Sequence, residues 1–575
     1  MCPGFESLIR HQFRMPAARW AFFRVRIPRW PSVSRIVVAA LCLAAFLFCA
    51  HMHRFEYAYG CDDFGYLRQA QLFRNLGPIQ GLDTRALREE PRFLIQQLQV
   101  RGVDSAQYAA MIAPHCAHYE PATDAVILQY PPGTGFLLSF FPQGRAAQLM
   151  YRSSVFIVFL CFALAARCVP LRTWPFAVWA SGVLVLAYAC HHLRIMSSYS
   201  VPASLALATM AVMLALRATA CRGRSRWQHF ALLGAVCGLL VDVRIPNVFL
   251  AGGIAVLAAM RMRDRFADRT TWTAAAASCG GFAIAIAPLL VANAWNAGSA
   301  FSTTYSARDA SQPTFEWPVI LEHARFYLGE SFAAPVAIAA LVAIALLVGY
   351  RASPAVRASQ DSRIRIDAAL CACVLAMGVS LAYFLTHPLR VPYYLLPVGG
   401  FTLFAAIFAL MEDCAARQAA RGALEDSVHA GVLSPGRGVF DSGRAWVVLP
   451  MVIAFAVTAW RVPNDDRVHA GLPEEALRPA SIVWADLNSG TILYYNDKYA
   501  ARLVFGAPPL QDLIVQAVAQ SGRCQYFLED SHNMSLARER LESIMRFESL
   551  GTYDSYDNPR LYRMVPRSGP AGCGH

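Results

Sequence analysis

The feature that most constrains this chain is a recurrence of apolar runs. They lie near residues 36–51, 149–169, 174–190, 201–217, 229–243, 246–260, 272–293, 332–350, 368–386, 393–411 and 445–460. Most approach the roughly 17–22 residues with which a helix crosses the hydrocarbon layer. Inside lipid every backbone polar group must pair within its own segment, so the runs are expected as helices. The expectation is an all-α polytopic membrane protein of about 11 transmembrane helices. Composition agrees: 15% of residues are charged, where a soluble chain carries about 25%.

The net charge of +13 is almost wholly arginine, and Lys498 is the single lysine. Such a balance can signal nucleic acid, but here the arginines collect between spans, so no nucleic-acid partner is expected. Three short connections, "RATACRGRSRW", "RMRDRFADR" and "RASPAVRASQDSRIR", hold four arginines each. The alternate ones, "HHLRIMSSYS" and "THPLRVPYY", hold one each. The positive-inside rule then places the N-terminus in the cytoplasm and the C-terminus outside. Residues 1–35, with seven arginines among aromatics, read as a basic cytoplasmic segment on anionic lipid. The first apolar run lacks an A-x-A-like cleavage site and reads as an uncleaved span.

Two stretches fall outside this pattern. A loop over 53–148 interrupts the membrane region 36–460, and a tail over 461–575 follows it. In the tail, "SIVWAD", "TILYY", "CQYFLED" and "RLYRMV" read as strands, and "PLQDLIVQAVAQSG" and "SLARERLESIMRFESLG" as helices, predicting a small extracytoplasmic α/β domain. Only 412–444 reads as structureless. Most of the sixteen cysteines lie in apolar runs, where Cys acts as a small hydrophobe. Cys61–Cys116 and Cys524–Cys573 are candidate disulfides in an oxidising compartment.

The chemistry candidates cluster at the outer face. In "YGCDDFGYLRQA", Asp62 and Asp63 adjoin a predicted helix from Phe64 to the stop signals Gly77 and Pro78. Asp63 is a good N-cap, which leaves Asp62 unexplained. Adjacent acids repel, which favours one of them as a general base. "LQYPPGTGFLLSFFP" returns the loop to the membrane, and its prolines exclude a helix interior there. Asn293, Asn296, Gly298 and Tyr305 leave one span. His387, Arg390, Tyr393 and Tyr394 precede another, where Arg390 suits a lipid phosphate or simply anchors headgroups. Asp242 and Arg244 sit at a helix end and read equally as an ion pair. His191 and His192 with an Asp could ligate a divalent cation, though no recognised ligand spacing supports it.

In this order the pieces resemble the GT-C membrane glycosyltransferases. Within them the chain is similar to the protein-mannosyltransferase and aminoarabinose-transferase superfamily, including bacterial lipopolysaccharide galacturonosyltransferase-type members. Asp62 through Tyr66 match the acidic motif, Tyr130-Pro131-Pro132 the proline motif, and Asn296–Tyr305 and Arg390–Pro397 the later loops. The resemblance implies a polyprenyl-phosphate sugar donor and a glycan, lipid or protein acceptor at the outer face of a bacterial inner membrane. It implies Asp62 as base, with Asp63 orienting the acceptor or a metal, or capping the helix. Tyr66, Arg244, Tyr305, Arg390 and Tyr393 would bind substrate, with Arg390 and Tyr393 on the phosphate. Some relatives carry an acid before a Lys-Pro-Pro; here Gln129-Tyr130 stand instead, removing an expected metal or phosphate contact, for which Glu120 or Asp124 are candidate substitutes. The rival readings are a transporter or lipid flippase, and a scaffold whose tail does the work. The first calls for mid-span charges and repeated halves, and neither is visible.

Overall fold

The computed structural model describes residues 33–52, 56, 58, 60–166, 174–192, 198–221, 225–305, 313–429, 445–462, 471–555 and 557–568. Most of the basic N-terminal segment, residues 430–444 and Cys573 lie outside them, so the Cys524–Cys573 pairing does too.

Every expected span is a helix: Val33–Ala50, Ala146–Ala166, Trp174–Cys190, Ser200–Ala220, Ser225–Val243, Val248–Arg261, Arg269–Ala297, Ala334–Arg351, Gln360–Thr386, Leu396–His429 and Ala445–Trp460. Six are long and apolar enough to cross a membrane, and shorter apolar helices join them. The chain is a multi-pass membrane protein. With lipid outside as apolar as the core, helices associate by close packing, and small residues permit it. Ser225–Val243 and Arg269–Ala297 show this: a Cβ at Gly234 would sit 1.9 Å from the Ser278 carbonyl oxygen, and one at Gly281 2.1 Å from that of Ala231.

The expected structureless stretch from 412 is a correction. Helix Leu396–His429 covers its part from 412 to 429. Its first turns there are held by Arg261 on Glu412 (2.6 Å) and by the Asp413–Arg417 pair one turn apart (2.7 Å).

The long loop is ordered. Helix Gly60–Gln80 begins earlier than expected, so Asp62 and Asp63 both occupy its first turn and Asp63 is not the N-cap. Acids are favoured there by the positive helix end. The expected stop at Gly77-Pro78 is a break at Gly77 (φ 85°), after which the helix resumes briefly. Helices Glu89–Gln99, Ser105–Tyr108 and Pro132–Ser139 and the hairpin Ala117–Glu120/Ala125–Leu128 complete the loop.

The tail is an α/β unit around a five-stranded mixed sheet. Its order is Ala500–Ala501, Ile482–Trp484, Gln525–Glu529, Arg560–Pro566, Met545–Thr552, with the first three parallel and the last three antiparallel. Two expectations fail here. "TILYY" lies in a helix, Ser489–Asn496, because it docks on the loop: a Cβ at Gly490 would meet Phe64 at 2.5 Å, and Thr491 Oγ1 donates to the Ala58 carbonyl. "MRFESLG" leaves the helix, which ends at Leu541, and becomes an edge strand on Arg560–Pro566. Sheet pairing there overrides local helix preference.

The tail is fastened to the loop by polar bonds. Buried Lys498 donates to Glu90 (2.7 Å) and to the Arg478 and Ser481 carbonyls. Apolar contacts add to this, with Leu94, Leu98 and Tyr108 joining Trp484, Ile514 and Phe527 in one core.

Asp530, buried in the tail, accepts the backbone N–H groups of Asp486 and Asn488. Burial pushes its carboxyl up to about 7. A carboxyl raised on folding stabilises while protonated, so this contribution is complete below its unfolded value and is lost as pH rises to about 7. The tail of the full-length protein is therefore expected to melt lower at pH 8 than at pH 5. Asp530→Asn should flatten that difference; an unchanged slope in a near-UV dichroism melt would place its origin elsewhere.

Candidate active site

Where the long loop meets the helix ends lies a cavity of about 380 Å³. Its wall brings together Asp62, Tyr66, Arg244, Tyr305 and Tyr393, contributed by sequence segments more than 300 residues apart.

Asp62 is held at both oxygens. Tyr130 donates its phenol to Oδ1 at 2.5 Å, and Tyr393 donates to Oδ2 at 3.0 Å. An ionised carboxylate offers about four acceptor positions, so two remain for a ligand hydroxyl. Burial first, and then the Asp62 charge, hold the Tyr130 phenol well above its usual value. Tyr66 is likewise raised by burial and Asp62, and Tyr305 by burial and Tyr66. These phenols therefore stay protonated and act as donors.

The placement of Tyr130 follows from its neighbours. Gly65 is required beneath it, since a Cβ there would lie 2.3 Å from the ring. The Tyr130 carbonyl accepts from Gln69 Nε2 (3.3 Å). Pro131 precedes helix Pro132–Ser139 with Pro132 in its first turn, a position that needs no N–H. That turn is seated on the end of Ser225–Val243: Thr134 Oγ1 donates to the Val243 carbonyl (3.1 Å), and the Gly133 N–H serves Asp242. The proline motif thus also fixes the backbone beside Arg244.

Arg244 is 8% exposed. Its guanidinium lies 4.3 Å from the Tyr394 ring centre and 5.9 Å from that of Tyr393. Nη1 has no hydrogen-bond partner among the described residues, and Asp242 is engaged with Gly133 rather than forming the expected ion pair. A buried cation with an open donor, facing the same cavity as a carboxylate, is suited to hold an anion.

The other expected residues lie elsewhere. Arg390 pairs with Glu322 and lies beside Phe326, outside the cavity wall. Asp63 is buried, 3% exposed, and also off the wall. Asn296 clamps the loop, accepting from the Thr84 N–H and donating to the Leu82 carbonyl, both at 2.9 Å.

The donor set does not fit a divalent cation. Asp62 is the sole carboxylate on the described wall, both its oxygens accept phenols, and Arg244 would repel a metal. Gln129, also on the wall, is a neutral amide. His191 stacks on Phe48 and His192 on Phe332, neither on the wall. The one described cluster of three metal-type ligands is Cys61, His115 and Cys116, and its two cysteines are joined as a disulfide. Glu120 and Asp124 are also off this wall.

A second chamber of about 870 Å³ adjoins the first and lies between the long loop and the tail. The two share Cys61, Gln129, Tyr305 and Leu389. The larger carries His118, Glu120, Arg502 and Asn533 on a lining that is otherwise largely apolar.

Tyr130 escaped the sequence reading as a site residue, although its position before two prolines carried the signal. Tyr394 and His387 were visible as neighbours of Arg390 and do line the cavity. Ser198 and Ser200 carried no signal.

No protein-family model matches the chain, and no curated protein matches it in sequence. Solved structures do resemble it. ArnT of Cupriavidus metallidurans, solved with undecaprenyl phosphate, is 12% identical with a TM-score of 0.47, over 93% of this chain and 99% of that one. The Archaeoglobus fulgidus oligosaccharyltransferase is 11% identical with a TM-score of 0.36, over 93% and 75%. Arabinosyltransferase EmbB of Mycobacterium smegmatis is 12% identical with a TM-score of 0.29, over 92% of this chain and 43% of its own. At such identities and scores the chemistry has to be argued from the side chains of this chain. Its architecture is a helical membrane region with a small sheet-containing C-terminal unit.

Proposed function

We infer that the protein is a membrane glycosyltransferase that moves a sugar from a polyprenyl-phosphate donor to a hydroxyl acceptor at the outer face of a bacterial inner membrane. The observation that carries this reading is a single carboxylate, oriented by two phenols, sharing a cavity with a buried arginine that has an open donor.

The chemistry is one displacement. Asp62 takes the proton of the acceptor hydroxyl as its oxygen attacks the anomeric carbon. The bond from that carbon to the phosphate oxygen breaks, and its electron pair leaves with polyprenyl phosphate. The donor diester carries one negative charge and the product monoester gains a second. Arg244 faces that developing charge in a poorly solvated site, where a fixed cation is most effective. Attack opposite the leaving group inverts the anomeric centre.

Arg390, paired with Glu322, is assigned no phosphate contact. The second chamber is assigned to the acceptor, because it adjoins the Asp62 cavity and its mixed lining, with His118, Glu120, Arg502 and Asn533 among apolar residues, offers partners to hydroxyl groups. Filling it with Ala110→Trp is expected to raise the acceptor KM about tenfold, through lost complementarity, and to leave the donor KM unchanged. An equal effect on both would remove the division between chambers.

The test of function is mass spectrometry of lipid-linked sugars and surface glycans in wild-type and deletion strains. Loss of one sugar from a surface glycan, with its lipid-linked form accumulating, is the expected result. Unchanged glycans together with a transport defect would favour a flippase.

A further inference from the structure

The disulfide Cys61–Cys116 stands at the wall between the two chambers, and Cys61 immediately precedes Asp62. Its sulfurs are not isolated. Tyr130 Oη lies 2.9 Å from Cys61 Sγ and 3.7 Å from Cys116 Sγ while its proton goes toward Asp62. Gln129 Nε2 lies 3.3 Å from Cys61 Sγ, and the Gln129 N–H donates to the Cys116 carbonyl at 3.2 Å. The bridge therefore touches the two residues that precede the proline motif, one of which orients the carboxylate.

The backbone at Cys116 supports a built feature. Its φ is 63°, in the left-handed region that non-glycine residues occupy only when their surroundings impose it. Cys116 leads into the strand Ala117–Glu120, whose partner strand ends at Leu128, next to Gln129. Helix Gly60–Gln80 carries Cys61 and Asp62. The bridge is thus the covalent tie between the helix that bears the carboxylate and the hairpin that leads to its phenol donor.

We propose that Cys61–Cys116 is a positioning device: oxidised, it holds Asp62 against Tyr130, and reduction disengages the carboxylate and slows transfer. The inference rests on Asp62 acting as proposed above. The cysteines touch no reacting atom in this scheme and act through Tyr130 and Asp62. Reduction by a dithiol takes two electrons: the S–S bond breaks, each sulfur gains a proton, and the dithiol closes to its cyclic disulfide. The state of the bridge would then tie activity to an oxidising compartment, so that the chain works only after its loop has been exported.

The experiment uses full-length protein in nanodiscs, with and without dithiothreitol, beside the Cys61→Ser/Cys116→Ser double variant. Alkylation and intact mass report the bridge, and hydrogen exchange reports the backbone. Expected are Cys61 and Cys116 both protected before reduction. After it, exchange should quicken over 60–66 and 116–130, while the tail strands stay unchanged. Displacing a reacting group by about 1 Å can cost about a hundredfold in rate. The double variant should therefore restore about one hundredth of the wild-type glycan signal to a deletion strain, with the donor KM unaltered. Reoxidation should rescue reduced wild type and leave the variant at its reduced level. Free thiols holding a metal in the untreated protein, unaltered exchange on reduction, or full complementation by the double variant would each overturn the proposal. Treating folded wild type avoids any failure of the variant to assemble. If deletion changes no glycan, the proposed function fails, while the mass and exchange data still decide the positioning role.

Discussion

Asp62→Asn protein is expected to reach the membrane at the wild-type level and to transfer sugar about a thousandfold more slowly, the usual range for loss of a general base. Such a drop corresponds to about 4 kcal/mol of barrier. The amide keeps the shape of the side chain but cannot take the acceptor proton. It also offers one carbonyl where two phenols need acceptors, so either Tyr130 or Tyr393 loses its bond. A melting measurement on the variant separates that structural cost from the chemical one. Asp62→Glu moves the carboxylate by one methylene and should fall nearly as far, because the phenol pair fixes its position. The decisive comparison is glycan mass from deletion strains carrying each variant. If Asp62→Asn restores wild-type glycans, the carboxylate is not the base, and the proposed mechanism fails.

The second large effect concerns the two arginines. Arg244→Ala should lower turnover about a hundred- to a thousandfold, as when a preorganised charge donor is removed from a water-poor site. Donor and leaving group differ in charge, so the loss should appear more in kcat than in donor KM. Arg244→Lys should recover little. An ammonium lacks the planar face that lies over Tyr394 and the paired donors that suit phosphate. Arg390→Ala should stay within a few-fold of wild type, since its partner is an exposed carboxylate and such pairs contribute little. Steady-state kinetics with a polyprenyl-phosphate sugar decide this. A collapse for Arg390→Ala with a mild effect for Arg244→Ala would move the phosphate site to the other side of Tyr393.

The sequence by itself determined the membrane architecture. Length and apolarity are properties of each run alone, and backbone pairing in lipid leaves the helix as the outcome. All eleven runs accordingly appear as helices. It also marked candidate segments: Asp62, Tyr66, Arg244, Tyr305 and Tyr393, singled out from separate stretches of chain, line one cavity. Tertiary structure decided which of these residues meet. Arg390 and Arg244 look alike in sequence, and only packing puts one on Glu322 and buries the other beside tyrosines. Tyr130 looks like a loop aromatic until Gly65, 65 positions before it, admits its ring and Asp62 accepts its proton. The segments "TILYY" and "MRFESLG" had local preferences that docking on Phe64 and pairing with Arg560–Pro566 reversed. The physical reason is the same in each case. Helix formation in lipid is set by contacts within a segment, whereas a site is set by contacts between segments, whose mutual positions are fixed only once the whole chain has packed.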